Sequence, residues 1–390
     1  MTIAGRSDAR KGERIRLGMV GGGEGAFIGA VHRMASRLDD HYTLVAGALS
    51  ASPDKARRSG EALGLDPDRN YPDYETMAKE EARRADGIEA VAIVTPNHVH
   101  AGPTYAFLKA GVHVICDKPL TVSLAEARKM KAAVEKSGLV FALTHNYTGY
   151  PLVRRMREMV QGGELGEIRL VQVEYPQGWL TTPVETTGHR GAEWRTDPAR
   201  SGAGGALGDI GTHAFNLADY VTGLEVSELS ADLTSFGPGR QLDDNVQVML
   251  RYANGARGSL WASQVAAGEE NELRLRVYGA NGGVNWVQSD PNRMLWTPLD
   301  KSTRIVTRGG PDSGAAAERA TRVPPGHPEG YLEGFATIYS EVALAIKAGR
   351  AGRKPPKAVN FPTIDDGVKG LAFIEAAVKS SKANGKWVKF

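Results

Sequence analysis

The chain has a single cysteine, Cys116, in 390 residues. That excludes an intramolecular disulfide framework and any zinc or iron–sulfur centre built on cysteine. A surplus of one charge is missing too: 48 basic against 45 acidic side chains leave a formal net charge of +3, spread along the chain. Such a balance gives no electrostatic case for nucleic acid or for an anionic membrane surface. No apolar run approaches the roughly 20 residues of a membrane helix; residues 90–94, among the longest, are strand-sized. The N-terminal stretch MTIAGRSDARKGERIR is polar and basic and lacks the apolar core of a secretory signal. These absences predict a soluble, cytoplasmic protein with no nucleic-acid or membrane partner and no metal centre.

Glycine is what the chain has in excess. There are 47 glycines in 390 residues, well above the usual level of about 7%. They follow no three-residue period, and 41% of residues are hydrophobic, so neither collagen nor a flexible low-complexity chain fits. The excess therefore points to tight backbone turns in a globular protein, and at about 150 residues per domain the length predicts two or three domains.

From residue 14 to 146 short β-branched apolar runs (15–20, 44–49, 91–94, 112–116 and 140–143) alternate with helical stretches (29–38, 53–63, 74–84, 101–110 and 123–137). Continuous apolar strands separated by helices imply a doubly wound parallel sheet covered on both faces. Pro53 after a serine is a helix-start signal, and Ser123 with Glu126 reads as a capping box. Beyond Pro151 the texture changes to alternating runs at 167–175, 225–236, 245–252, 257–264, 272–278 and 283–287, with hairpin turns at Asn254-Gly255 and Asn281-Gly282. Alternation implies a large, mostly antiparallel sheet with one buried face. A helix is expected at 209–221, a surface excursion at 300–323, and closing helices at 329–348 and 364–383. The expectation is thus α/β: a dinucleotide-type domain at 14–146 and a second α/β domain at 147–390, whose closing helices can pack back on the first.

Two glycine clusters carry the chemistry. The first, Gly21-Gly22-Gly23-Glu24-Gly25-Ala26-Phe27-Ile28-Gly29, joins the first strand to the first helix and holds five glycines in nine residues. There the backbone can approach a pyrophosphate that faces the helix N-terminus. Gly21, Gly23 and Ala26 fit G-x-G-x-x-A, while Gly29 fits as the close-packing glycine if the loop is three residues longer. The alternative is a ligand-free turn, at high cost in backbone entropy. The next strand ends in Ser50-Ala51-Ser52 with no carboxylate for a ribose, and Lys55, Arg57 and Arg58 follow. NAD or NADP both remain open, with a lean to NAD because no arginine sits directly at the strand end.

Lys118 follows the apolar run 112–116 in Asp117-Lys118-Pro119, at the carboxyl edge of the sheet, where ligands of such folds bind. An ammonium there can donate to a substrate hydroxyl and stabilise an alkoxide; the alternative is a surface lysine. Pro119 is a candidate for a cis bond. In the second cluster, from Gly204 to His213, Asp209 and His213 stand four apart at a helix start and share a face. This suits a proton-carrying histidine beside an orienting carboxylate. An N-cap aspartate and a satisfied core histidine are the alternatives, and two ligands alone do not make a metal site.

The glycine-rich loop, Thr95-Pro96-Asn97-His98-Val99-His100, Asp117-Lys118-Pro119 and the Gly205, Asp209, Gly211, His213 spacing together resemble the Gfo/Idh/MocA family (glucose–fructose oxidoreductase, inositol dehydrogenase, rhizopine catabolism) over nearly the whole chain. The resemblance implies a Rossmann domain followed by an α/β domain whose open sheet builds homodimers or homotetramers. It implies NAD(P)-dependent oxidation or reduction of a sugar or cyclitol hydroxyl. Lys118, Asp209 and His213 become the catalytic set, and cofactor contacts fall on Gly21, Gly23, Ala26, Phe27, Ile28, Ser50, Lys55, Thr95, Pro96, Asn97, His100, Asp117 and Lys118. Departures are Asp117 for the usual Glu, Asn216 where many relatives have Asp, Ser50 for the usual acid, and the longer loop.

Substrate-facing candidates are Lys118, Tyr147, Trp179, Arg195, Asp209, His213, His327 and Tyr331, with His189, Arg190, Trp194 and Glu329 nearby. Aromatic platforms with arginine and histidine donors suit a pyranose, anionic or not; the alternatives are packing aromatics and an Arg195–Asp197 structural pair. Two further functional readings share the cofactor: an NAD-dependent glycosidase working by transient oxidation and elimination, and a dinucleotide-sensing regulatory protein.

Overall fold

Apolar runs that alternate with helices fold into a parallel sheet here because a βαβ crossover covers both faces of every strand. The computed structural model describes residues 14–390; residues 1–13, most of the basic stretch read above as no secretory signal, lie outside the described residues. The chain divides into two compact units. The first takes the chain up to Thr121, Ala125–Gly149 and Tyr331–Val368; the second takes Val122–Leu124, Tyr150–Gly330 and Lys369–Phe390.

The first unit contains β1 (Ile15–Gly21), α1 (Phe27–Leu38), β2 (Tyr42–Ala48), α2 (Pro53–Ala62), α3 (Tyr74–Glu81), β3 (Ala90–Val94), α4 (Ala101–Lys109), β4 (His113–Cys116), α5 (Leu124–Ser137) and β5 (Phe141–Leu143). The strands pair in parallel in the order β2-β1-β3-β4-β5. All five residues of the central β3 are buried, as double coverage requires.

The second unit holds α6 (Pro151–Gln161), β6 (Ile168–Pro176), α7 (Arg190–Arg195), α8 (Pro198–Ser201), α9 (Thr212–Thr222), β7 (Val226–Thr234), β8 (Asn245–Tyr252), β9 (Arg257–Ser263), β10 (Arg274–Gly279), β11 (Gly282–Val287), β12 (Arg293–Pro298), β13 (Arg304–Thr307) and α10 (Gly314–Ala320). After α11 (Tyr331–Arg350) and α12 (Ile364–Lys382), β14 (Val388–Lys389) completes a nine-stranded sheet ordered β13-β12-β11-β10-β6-β9-β8-β7-β14. Every pair is antiparallel except β6 with β9. Val171, Val173, Val246, Val248, Leu260 and Leu275 bury one face, whereas Leu170, Met249, Tyr278 and Leu295 stand exposed on the other.

Two details differ from the sequence expectation. The supposed excursion at 300–323 contains β13 and α10, whose alanine-rich buried stripe (Ala317, Ala320) gives too little apolar periodicity to read. The helix expected from 209 begins instead with a π-helical turn, Leu207–Gly211, before regular helix starts at Thr212. α11, one of the two closing helices, belongs to the first unit, where Phe335, Ile338, Tyr339 and Val342 share a core with Val31 and Ala35 of α1.

Candidate functional site

In the first unit the loop after β1 is shaped by glycine geometry. Gly21, Gly22 and Gly25 have φ of 77°, 72° and 74°, a region that side chains resist. A Cβ on Gly29 would fall 2.3 Å from the carbonyl oxygen of Gly22, so Gly29 is the close-packing glycine of a lengthened loop. The loop is tied down by backbone and side-chain bonds: Gly23 N–H donates to Leu49 O (3.1 Å), Ala26 N–H to Gly23 O (3.0 Å), Glu24 N–H to Ser59 Oγ (3.0 Å), and the Arg33 guanidinium to Gly22 O (2.6 Å). Ala26 is the N-cap of α1 and supplies no side-chain cap; Phe27 is exposed and Ile28 packs on the core. Amides left uncapped at a helix start suit an anion.

The residues fit a dinucleotide. A Cβ on Gly21 would sit 2.9 Å from the Thr95 side chain and from Val94 O, so the loop leaves backbone rather than side chain facing outward. The Thr95 hydroxyl is out of solvent and, among the described residues, has no hydrogen-bond partner. At the end of β2 the Ser50 hydroxyl accepts from Ser52 N–H (3.2 Å), Arg58 pairs with Glu24 (3.5 Å), and Lys55 lies half-buried on α2. Pro96 leads into the 3₁₀ turn Asn97–Val99, whose Asn97 is buried. The His100 ring is taken up inside the protein, with Nδ1 2.8 Å from Pro119 O and Nε2 2.9 Å from Thr95 O. It braces the Thr95 loop against the Lys118 loop.

Asp117 and Lys118 follow β4, and the Lys118–Pro119 peptide is cis. The Asp117 carboxylate accepts from Lys118 N–H (2.9 Å) and from the Thr144 hydroxyl (2.8 Å). His32 Nε2 lies 3.9 Å from the same oxygen, and its Nδ1 is 2.8 Å from Tyr339 Oη. Burial lowers the His32 pKa to about 4, against the opposing pull of Asp117. Burial, and then the Lys118 ammonium, lower the His145 pKa to about 3. Both imidazoles are neutral at pH 7.

In the second unit the Asp209 carboxylate is not an N-cap. One of its oxygens accepts from Arg195 Nε (3.1 Å) and from the Gln264 amide (2.9 Å). Arg195 also donates to Gly191 O (3.0 Å) and stacks 4.3 Å over the Trp194 ring. Its carboxylate partner is thus Asp209, whereas Asp197 caps α8 through Ala199 N–H (2.9 Å). His213 is buried in α9 with its ring 6.3 Å from that of Tyr175. Trp179 donates to Gln177 (3.0 Å) and lies 6.0 Å from the ring of His189. Gln177 in turn donates to Asn271 (2.6 Å), which also accepts from Tyr175 Oη (2.9 Å).

The remaining candidates are placed as follows. Tyr147 is buried in the turn Asn146–Gly149, and Tyr331 starts α11 edge-on to Phe335 at 5.2 Å. His327 is exposed, its ring 3.4 Å from Pro324 O, and the buried Glu329 is a structural partner of Arg308 (3.0 Å). His32, Thr144, His145, Gln177, Gln264 and Asn271 were not singled out from the sequence. Gln177 and Gln264 stand just past the shared carboxyl ends of β6 and β9, the parallel pair, a pairing that the local sequence pattern does not carry. Among the described residues, no group of three or more His, Cys, Asp or Glu is set to hold a metal ion, and no helix is long and apolar enough to cross a membrane.

Comparison with known proteins matches this division of labour. Residues 15–145 match the family model described as an oxidoreductase family with an NAD-binding Rossmann fold, and residues 153–285 match the GFO/IDH/MocA C-terminal domain. A crystal structure of an oxidoreductase from Sinorhizobium meliloti is 56% identical, with a TM-score of 0.89 over 96% of this chain and 99% of that one. An inositol dehydrogenase homolog from Azotobacter vinelandii, crystallised with NADH and myo-inositol, is 35% identical with a TM-score of 0.91 over 100% of both chains. The uncharacterized oxidoreductase YfiI of Bacillus subtilis (strain 168) is 36% identical over 97% of this chain and 99% of its own length. With both domain models matched and the nucleotide loop built as such a fold requires, the chain belongs to the Gfo/Idh/MocA family of NAD-dependent oxidoreductases.

Proposed function

We propose that the enzyme transfers a hydride reversibly between NAD(H) and a hydroxyl-bearing carbon of an uncharged sugar or cyclitol. The observation that carries this reading is the Asp209 carboxylate, fixed by Arg195 and Gln264 one turn before the buried His213. NAD, when bound, supplies the hydride acceptor. Lys118 donates to the reacting oxygen, His213 exchanges the hydroxyl proton, and Asp209 accepts from a substrate hydroxyl. Asp117, held by Thr144, shapes the Lys118 backbone rather than reacting. Trp179 offers a ring face to the substrate, and the Arg195 guanidinium, engaged with Asp209, is not left to bind the carboxylate of a sugar acid. The relative crystallised with NADH and myo-inositol supports the substrate class.

NAD is preferred over NADP. Ser50 turns its hydroxyl to its own backbone turn, and Arg58 is paired with Glu24, which disfavours their use on a 2′-phosphate. Residues 14–146 serve as the nucleotide domain and 147–390 as the substrate and assembly domain, with α11 lent to the first. The exposed outer face of the nine-stranded sheet joins copies into a homodimer or homotetramer. The lone, buried Cys116 fits a cytoplasmic enzyme.

Steady-state kinetics with NAD and NADP across sugars and cyclitols, myo-inositol included, tests the reading. Lys118→Ala and His213→Ala should each lower kcat/KM by about 10² or more. Undiminished turnover in both variants overturns the roles, and markedly tighter binding of NADP than NAD overturns the cofactor preference.

A further inference from the structure

We propose that Asp243 is a positioning residue: this one side chain and its carbonyl clamp the backbone turn from which Asp209 and His213 project. Three successive amides end on it. Gly205 N–H donates to Asp243 Oδ1 (2.8 Å), Ala206 N–H to the Asp243 carbonyl (2.8 Å), and Leu207 N–H to Oδ2 (2.7 Å). The turn then passes its own constraint forward, since Asp209 N–H donates to Gly205 O (2.9 Å). A Cβ on residue 205 would stand 2.1 Å from the Asp243 carbonyl, so the clamp closes only on a glycine. That gives one member of the second glycine cluster a specific task.

The neighbouring residue completes the device. The Asp244 carbonyl accepts from Gln264 N–H (2.8 Å), and the Gln264 side chain donates to Asp209 (2.9 Å). Asp243 and Asp244 therefore fix both the turn that carries Asp209 and the amide that grips it. The Asp244 carboxylate is used elsewhere, by Phe236 N–H, Gly237 N–H and Arg240, so it is no substitute for Asp243. Surrounding protein pushes the Asp243 pKa up to about 6, with the Leu207 and Gly205 amides pulling the other way. Ionised, the carboxylate offers an acceptor to each amide; a group with one oxygen fewer cannot.

This inference rests on the reading that Asp209 and His213 take part in the reaction. The test is Asp243→Asn, an isostere that keeps one acceptor and sets an NH₂ against the other amide. Misplacement of the turn should lower kcat by about 10²-fold. The primary deuterium isotope effect on kcat should rise as hydride transfer becomes limiting, while the Kd for NAD stays unchanged and the melting temperature moves by only a few degrees. A wild-type kcat and isotope effect overturns the proposal, as does a loss of activity that only tracks the unfolded fraction. Should the variant not fold, amide exchange in the wild-type enzyme decides: the Gly205 and Leu207 amides must be strongly protected, and fast exchange removes the clamp. Asp209→Asn and His213→Ala run alongside. If both retain activity, the underlying reading falls and takes this inference with it; if both are inactive while Asp243→Asn is unimpaired, the clamp alone is wrong.

Discussion

His32 and His145 are the residues whose burial has the plainest thermodynamic consequence. Each is almost wholly out of solvent, and their pKa values are lowered to about 4 and about 3 from 6.5. The unfolded chain therefore takes up two protons near pH 6.5 that the folded chain refuses until far lower. Stability from these groups is present above pH 6.5 and is lost as pH falls toward their folded values, at about 1.4 kcal/mol per unit for each histidine. Asp243 has the opposite sign. Its raised pKa of about 6 gives stability present below about pH 4 and lost as pH rises through 6. Two histidines outweigh one aspartate between pH 6 and 4, so urea-unfolding free energy should drop as pH is lowered from 7 to 5. In His145→Asn the slope should become clearly shallower, and an unchanged slope would show that this imidazole is not held neutral. These histidines also mark a limit of reading residues from the sequence. Lys118 and Asp117 were legible from their place after a strand, but His32 is 85 positions from Asp117 and gains meaning only through packing.

At the scale of the element, the glycine loop separates strain from collision. Gly25 has φ of 74° with no atom near its would-be Cβ, whereas a Cβ on Gly29 meets the Gly22 backbone at 2.3 Å. Gly25→Ala should cost only about 1–2 kcal/mol of left-handed strain and leave NAD affinity nearly intact. In Gly29→Ala neither partner is a flexible side chain, so α1 must shift away from the loop. The Kd for NAD, read by calorimetry, should rise by about 10-fold or more; equal effects of the two substitutions would remove the special role of Gly29. The element pattern of the first unit was legible because period and punctuation agree there. The π-helical turn at Leu207–Gly211 was not, because Asp209 and His213 keep the spacing of one helical face while the turn is held by Asp243 through the amides of Gly205, Ala206 and Leu207, and the Asp209 side chain by Arg195 and Gln264. Asp243 and Gln264 lie 36 and 55 residues along the chain from the groups they bind, and local spacing carries no trace of them.

For the whole molecule, the open face of the nine-stranded sheet is the feature that asks for a partner. Its outward row carries the exposed Leu170, Met249, Tyr278 and Leu295. Among them lie ion pairs of both signs, Arg276 with Glu174 (3.1 Å) and Arg251 with Glu228 (2.9 Å). A two-fold contact sets a surface against itself, so it needs this mixture: apolar side chains to bury, and charges that can re-pair across the axis rather than repel. Methionine, tyrosine and arginine are also the residue types favoured at such contacts. The sequence anticipated the face from strand alternation, yet it could not say which strands adjoin, because β10 pairs with β6 across about a hundred residues of chain. Light scattering on the purified protein should give a dimer or tetramer. Met249→Asp with Tyr278→Asp places two charges in the apolar row and should shift the enzyme to a smaller species at micromolar concentration. The Kd for NAD should be unaffected, since neither residue belongs to the nucleotide-binding unit. A wild-type monomer under the same conditions would leave the exposed row without the partner assigned to it, and an unshifted double variant would move the contact to another surface.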